Sequence, residues 1–164
     1  MQKKKVENKK KLKLGIFSFT CCEGCSVVFI ELLNKRFFEY KKLIDFRNFR
    51  QLKSNKVIDN LDLAIIEGAI STESEKRKLK EIRKKAKRIV AIGTCAVGGM
   101  PSSQRNFFSV ELKKKISPLV KKLHQLETIE PLHKFVKIDE TINGCPINIK
   151  DLDKIMKEHL KKIK

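Results

Sequence analysis

Cysteines are the residues of this chain whose type and spacing most clearly suggest chemistry. Cys22 and Cys25 form a C-x-x-C pair directly after Cys21, whereas Cys95 and Cys145 each stand alone. The two thiolates of a C-x-x-C pair can reach one centre, and four thiolates suit either zinc or an iron–sulfur cluster. Structural zinc usually takes two close pairs of cysteines. One pair and two distant single cysteines therefore favour a cluster.

Glycines accompany these cysteines in the sequence. Gly24 lies inside the C-x-x-C pair, Gly93 comes two residues before the third candidate ligand, and Gly144 directly precedes the last one. Glycine permits tight turns and lets backbone N–H groups come close to a ligand. Gly24, Gly93 and Gly144 are therefore candidate site-lining residues. Two other interpretations remain: a thioredoxin-like C-x-x-C, which leaves two cysteines unexplained, and cysteines that serve only as small buried apolar side chains.

The segments between the cysteines alternate between strand-like and helix-like patterns. Parallel strands with helices on both faces, in one α/β domain of the doubly wound type, are the expected result. In such a sheet, ligands bind outside the carboxyl ends of the strands, so the cysteine loops should converge there. The predicted strands are 13–19, 43–49, 61–68, 88–93 and 134–139. The first predicted helix is 26–38, and a second follows a capping box at 72–75. Residues 104–127 should form one or two helices with a restart at Ser117-Pro118, and Asn148 should cap a last helix.

Length and composition fit one domain. The chain has 164 residues, of which 41% are hydrophobic, and its 38 Lys+Arg against 19 Asp+Glu give a net charge of +19. Residues 1–12 are expected to be a basic, flexible lead-in, and residues 13–164 to be the domain. Such charge suits nucleic acid, a membrane surface or an acidic partner, but basic residues without interleaved aromatics argue against a nucleic-acid-binding protein.

Location can be predicted from the same composition. No apolar stretch reaches the roughly 18 residues that a membrane span needs, and the basic start is not followed by a signal-peptide cleavage pattern. We therefore expect a cytoplasmic protein with reduced thiols and without a membrane span. His124, His133 and His159 match no ligand motif and are expected at the surface.

Four short motifs resemble one known family. FTCCEGCS (19–26), IIEGAIS (65–71), GTCAVGGMP (93–101) and GCPIN (144–148) are similar to the small subunit of nickel–iron hydrogenases, in its short cytoplasmic type. The sulfhydrogenase delta and methanogen hydrogenase gamma subunits are of this type, and the 20 kDa cluster subunit of complex I shares the superfamily. The resemblance runs from about Lys13 to the C-terminus.

The resemblance implies a flavodoxin-like fold and one proximal 4Fe–4S cluster held by Cys22, Cys25, Cys95 and Cys145. It implies no catalytic residue in this chain, which would relay electrons between the nickel–iron site of a hydrogenase large subunit and a further electron-carrier subunit. Glu67 matches an acidic position at a strand end in the family and is a possible site-lining residue. The alternative for Glu67 is a helix-capping or solvent-facing carboxylate.

Two departures from the family keep an alternative open. The longer hydrogenase small subunits add a C-terminal domain with two more clusters, whereas this sequence has no cysteine after Cys145. Complex I subunits use tandem cysteines as ligands, and Cys21 stands directly before Cys22. With the C-x-x-C spacing present, Cys21 is expected to be a buried spare. The alternative is the cluster subunit of a complex I-like oxidoreductase, either an NADH–quinone enzyme or a membrane-bound one, that passes electrons toward a quinone or a membrane pump.

Overall fold

The computed structural model describes residues 10–52 and 58–163. Within these ranges a parallel sheet of five strands is flanked by helices, as the alternating pattern predicts. The main-sheet strands are β1 (Leu12–Ser18), β2 (Ile44–Phe49), β3 (Leu61–Glu67), β5 (Ala86–Ile92) and β7 (Glu140–Ile142), and a separate antiparallel pair is formed by β4 (Ile70–Thr72) and β6 (Gln125–Glu130). The helices are α1 (Gly24–Leu43), α2 (Glu73–Lys85), α3 (Gly93–Gly98), α4 (Val110–Lys122) and α5 (Ile149–Lys161).

The order of strands across the main sheet is β2-β1-β3-β5-β7. Numbered within that sheet alone, this is the order 2-1-3-4-5 of flavodoxin-like doubly wound folds. The predicted α/β fold class and the flavodoxin-like topology are therefore confirmed. The order also has a functional consequence, because it places the loops after β1, β3, β5 and β7 along one edge of the sheet.

Two apolar cores lie on opposite faces of the sheet. Leu63 and Ile65 of β3 contact the core beneath α1 and α5, whereas Ala64 and Ile66 contact the core beneath α2. Successive side chains of a strand point to opposite faces, so a strand covered on both sides must be apolar throughout. This explains the nearly continuous burial of β3.

The predicted capping box at the start of α2 is present. The Thr72 hydroxyl accepts the Glu75 N–H at 3.1 Å, and the Glu75 carboxylate accepts the Thr72 N–H at 3.2 Å. Asn148 likewise caps α5 by accepting the N–H of Lys150 at 2.8 Å. These side chains pair amide groups that a helix terminus otherwise leaves without a partner.

The prediction of a strand at 134–139 is wrong. Residues Leu132–Lys134 form a short 3₁₀ turn, and the fifth strand of the main sheet is β7 instead. Phe135, Val136 and Ile138 all pack against the core beneath α2, whereas a strand would send neighbouring side chains to opposite faces. Pairing with β5 begins only beyond Asp139, whose backbone N–H donates to the Ile89 carbonyl at 3.1 Å.

The predicted helix restart at Ser117-Pro118 is also wrong. Helix α4 runs unbroken through Pro118, and its N-cap is Ser109, whose hydroxyl accepts the Leu112 N–H at 3.3 Å. Proline removes one backbone donor inside a helix. Because no residue of α4 is buried, water can bind the carbonyl that Pro118 leaves without a partner. The end of the predicted 104–127 helical region belongs to β6.

Smaller differences concern the ends of elements. Helix α1 continues past residue 38 to Leu43, with a kink at Arg36, where φ is −119°. Of the expected 1–12 lead-in, residues 1–9 lie outside the described residues, and Leu12 already belongs to β1. His159 is buried rather than exposed, and its Nε2 lies 3.0 Å from Glu140 Oε1, because α5 packs this ring against the edge of the sheet.

Candidate functional site

Cysteines from three loops line one small cavity at the carboxyl edge of the main sheet. The loops follow β1, β5 and β7, so they are distant in sequence but adjacent in the fold. The cavity has a volume of about 80 Å³. The cysteines that line it are Cys21, Cys22, Cys25, Cys95 and Cys145. The structure thus brings together all four cysteines that the family resemblance selects, along with Cys21.

The cysteines differ in exposure. Cys25 lies in the first turn of α1 and Cys95 lies in α3, and both are buried. Cys22 and Cys145 are exposed at the mouth of the cavity, and Cys21 is half-buried. A ligand held by these residues would therefore have protein behind it and an open side facing away from the sheet.

Burial makes two of the thiols poor acids. It raises the pKa of the Cys21 thiol to about 12 and that of the Cys25 thiol to about 11, and the negative charge of Glu67 acts in the same direction. Such thiols keep their protons at neutral pH. Metal binding requires the thiolate and releases the proton, because the positive charge of a metal reverses the local preference for the neutral form.

Gly93 brings the backbone of one loop against the sulfur of another. A Cβ atom at Gly93 would lie 2.6 Å from Cys25 Sγ, and its φ of +84° is one that residues with side chains rarely adopt. Gly144, with φ of +141°, accepts the Thr94 N–H at 2.9 Å and so joins the two loops that carry the single cysteines. Gly24 also lines the cavity. A Cβ atom at this position would lie 3.4 Å from Cys22 Sγ.

Glu67 lines the cavity from the end of β3 and is only 2% exposed. Its carboxylate accepts the Ser18 hydroxyl at 2.7 Å, the Ser26 backbone N–H at 3.2 Å and the Ser26 hydroxyl. The alternative of a solvent-facing carboxylate is wrong. Because Ser26 lies in the first turn of α1, Glu67 also pairs an amide group at the start of that helix, directly beside Cys25.

Sequence reasoning missed Ser102. Its Oγ lies 3.3 Å from Cys95 Sγ and 2.9 Å from the carbonyl oxygen of Thr20. Ser102 therefore links the loop after β5 to the loop that carries the C-x-x-C pair. The available signal was a hydroxyl seven residues after a candidate ligand in a glycine-rich loop, which is too weak to single out this serine.

The donor set fits an iron–sulfur cluster chemically. Within the described ranges, no group of three or more Cys, His, Asp or Glu side chains is gathered closely enough to hold a single metal ion. A 4Fe–4S cluster needs four cysteine thiolates and binds each at a different iron atom, so its ligands need not meet at one point. The fit rests on four cysteines from three loops and on the glycine backbone that borders them.

The described part of the chain contains no helix that is both long enough and apolar enough to cross a membrane. His124 and His133 are exposed and do not line the cavity, and neither does the buried His159. The three histidines therefore lie outside the lining of the candidate site.

Curated relatives of this chain include proteins named as subunits of hydrogenases. It is 26% identical over 146 residues to the protein named sulfhydrogenase 2 subunit delta of Pyrococcus furiosus, with 88% of this chain and 60% of that protein covered. It is 24% identical to the NAD-reducing hydrogenase HoxS subunit delta of Cupriavidus necator, with 83% and 72% covered. This chain therefore spans about three-fifths of the length of the Pyrococcus protein.

A solved structure supports the fold. A chain in the crystal structure of an NAD⁺-reducing [NiFe]-hydrogenase in the H₂-reduced state superimposes with a TM-score of 0.81 at 24% sequence identity, covering 93% of both chains. The sequence model described as NADH ubiquinone oxidoreductase, 20 Kd subunit, matches residues 22–158. That range includes every candidate ligand and four of the five strands of the main sheet, and it begins after β1. The chain belongs to the 20 kDa subunit family of NADH–ubiquinone oxidoreductase, the superfamily that includes the nickel–iron hydrogenase small subunits.

Proposed function

We propose that this chain is an electron-transferring subunit of a nickel–iron hydrogenase and holds one 4Fe–4S cluster on Cys22, Cys25, Cys95 and Cys145. The observation that carries the proposal is the convergence of these cysteines on one cavity from three separate loops. Curated relatives with hydrogenase names support the type of complex. The chain spans only part of the length of the Pyrococcus relative. We therefore propose, rather than transfer from that relative, the activity and the partners of this chain.

The chain's own residues would bind and orient such a cluster. When bound, a 4Fe–4S cluster supplies a centre that gains and loses one electron. Cys25 and Cys95 provide ligands from buried positions, whereas Cys22 and Cys145 provide them from the open side. Glu67 fixes the first turn of α1 through Ser26.

A partner subunit is expected to cover the open side of the cavity. Exposed apolar side chains lie close to the cysteine loops: Val27 of α1 is 64% exposed, and Met100, in the segment after Cys95, is 40% exposed. Exposed apolar side chains next to the candidate ligands in the sequence favour a permanent interface over a transient one. We propose that the hydrogenase large subunit binds there and that a further electron-carrier subunit receives or supplies the electrons.

Anaerobic reconstitution of the full chain with iron and sulfide tests the ligand set. The wild-type chain should take up about four iron and four sulfide. Replacing Cys22, Cys25, Cys95 or Cys145 individually with alanine should remove most of that uptake, whereas Cys21→Ala is the matched control and should retain it. Stoichiometric zinc without iron uptake in protein purified without oxygen would contradict the proposal.

The relay role needs a second test in the assembled complex. Replacing Cys95 with serine should abolish most dihydrogen-dependent reduction of an external dye, because that reaction needs electrons to leave the complex. Hydrogen isotope exchange with water needs no net electron flow and should partly survive. Unchanged dye reduction in an assembled complex without its cluster would show that this subunit is not the relay.

The complex I-like alternative is favoured by two observations: the description of the family and the tandem Cys21–Cys22 at the cavity. The two candidates differ in their large partner. A nickel–iron site uses two C-x-x-C pairs in the large subunit, and a complex I-like partner lacks them. Purifying the native complex and sequencing that subunit distinguishes the two functions.

A further inference from the structure

Ser102 contacts both a candidate ligand sulfur and a backbone carbonyl. Its Oγ lies 2.9 Å from the Thr20 oxygen and 3.3 Å from Cys95 Sγ. The hydroxyl is half-buried, and it lies at the boundary between two of the cysteine loops. Hydrogen bonds to sulfur are long, so both separations are bonding distances for a hydroxyl.

One hydroxyl hydrogen cannot serve both contacts at once. A carbonyl oxygen can only accept, so the 2.9 Å contact with Thr20 requires the hydrogen of Ser102. Cys95 in its thiol form can then donate its own S–H to Ser102 Oγ, and both contacts are satisfied. The arrangement is complete only while the sulfur carries a hydrogen.

Loss of that hydrogen changes the arrangement. A cysteine that ligates a metal is a thiolate and can only accept hydrogen bonds. If the Ser102 hydrogen stayed on Thr20, an oxygen lone pair would face the negative sulfur at 3.3 Å. Rotation of the hydroxyl toward Cys95 converts that repulsion into a charge-assisted hydrogen bond, which is stronger than a bond to a neutral carbonyl.

We propose that Ser102 donates its hydroxyl hydrogen to Cys95 Sγ when a cluster is bound and thereby raises the reduction potential of that cluster. This inference rests on the proposed function, since it requires Cys95 to be a ligand. A cluster that gains one electron places more negative charge on its ligand sulfurs, and a donor to one of them stabilises the reduced form more than the oxidised form. Hydrogen bonds to sulfur are a recognised determinant of cluster potential.

The test is a reduction titration of the anaerobically reconstituted full chain, followed by the electron paramagnetic resonance signal of the reduced cluster. Ser102→Ala should lower the equilibrium constant for reduction about tenfold, which is about 59 mV for one electron. Ser102→Thr keeps the hydroxyl and should remain near the wild-type value. Ser103→Ala is the control for disturbance of the loop, because Ser103 is its buried neighbour and, within the part of the chain that the structure describes, forms no hydrogen bond with a cysteine sulfur.

A second pair of variants guards against poor folding of the alanine variant. Threonine and valine have nearly the same shape and differ in the hydroxyl, so Ser102→Val should show the lower potential and Ser102→Thr should not. Equal potentials in this pair, at full iron content, would overturn the inference, as would an equal fall in Ser103→Ala. A wild-type chain that takes up no iron overturns the proposed function itself, which is a different and separately visible result.

Discussion

Replacing Gly93 with alanine should separate the stability of the fold from the capacity of the site. Gly93 follows β5 directly and has φ of +84°, and its Cβ position lies 2.6 Å from Cys25 Sγ. Alanine therefore meets two obstacles: a left-handed backbone conformation and a sulfur atom within its contact distance. The first obstacle acts on folding, whereas the second acts mainly on the geometry of the cavity.

The two obstacles have different magnitudes. A residue with a Cβ in the left-handed region costs roughly 1–2 kcal/mol, and overpacking a buried site costs about 1–3 kcal/mol through the shifts that it forces on its neighbours. Cys25 can relieve the overpacking only by moving its sulfur by several tenths of an ångström, which takes a proposed ligand out of place. We expect Gly93→Ala to lower the free energy of unfolding by roughly 1–5 kcal/mol and to lose most iron uptake.

Urea unfolding of the chain without metal, together with iron content after anaerobic reconstitution, measures both effects. Gly98→Ala is the matched control, because Gly98 lies in the same short helix and, apart from its chain neighbours and its own helix backbone, no described atom lies within 4 Å of its Cβ position. That variant should load normally and should be unchanged or more stable by about 0.5–1 kcal/mol. Normal stability and normal iron uptake in Gly93→Ala would refute the close approach of this loop to Cys25.

Three further predictions concern polar contacts in the described structure. Glu67→Ala leaves the donors of Ser18 and Ser26 without their buried acceptor and should cost roughly 2–4 kcal/mol in urea unfolding, with Glu67→Gln recovering part of the loss. Thr72→Ala removes the cap of α2 and should cost about 1 kcal/mol in the same assay; an unchanged midpoint would contradict the cap. Burial opposes ionisation of Asp139, but hydrogen bonds from Arg83 and the Ile89 N–H outweigh it and lower the pKa of Asp139. Stability from this carboxylate is therefore present above its unfolded pKa of about 3.9 and is lost as pH falls through the lower folded value, so Asp139→Asn should weaken the acid dependence of unfolding.

Much of the fold was predictable because its central strands β1, β3 and β5 are largely buried. The predicted bounds of β1, β2, β3 and β5 differ from the observed ones by at most two residues. Apolar runs indicated β1, β3 and β5, whereas an alternation of apolar and polar residues indicated the partly buried β2. The segment 134–139 failed for the opposite reason. Its apolar residues pack against a core without joining the sheet. A short apolar run in the sequence does not show whether the segment forms a strand or only packs against the core.

The site was predictable only for its cysteines, because few residue types can ligate a metal or cluster. Thiols are rare in this sequence, so their spacing alone indicated which loops should meet, and the cavity contains all of them. Serine hydroxyls are common and bind almost any polar atom. Ser102 bonds a carbonyl 82 residues away, and Ser26 bonds a carboxylate 41 residues away. Such partners are fixed by the topology of the sheet, which no local pattern contains.

Part of the positive charge lies at the end of the sheet opposite the cysteines. A cleft of about 820 Å³ lies at the amino ends of β1, β3 and β5, opposite the cysteines, and its lining includes Lys10, Lys11, Lys13, Lys84, Lys85 and Lys87. A doubly wound fold directs the carboxyl ends of its helices to this edge, and α2 ends there in three basic residues. Helix carboxyl ends favour cations, so Lys84 and Lys85 at the end of α2 interact favourably with the dipole of that helix.

The distance between the two edges limits what these lysines can do to the site. Strand β1 has seven residues, which span about 23 Å at roughly 3.3 Å per residue. Exposed charges are largely screened beyond about 8 Å at physiological salt. We therefore expect the near neighbours Glu67 and Ser102, and not these lysines, to set the reduction potential of a bound cluster: replacing Lys84 or Lys87 should leave that potential unchanged, whereas Ser102→Ala should lower it. A potential that followed the lysines instead would mean that the overall charge, and not the hydrogen bond to Cys95, controls the site.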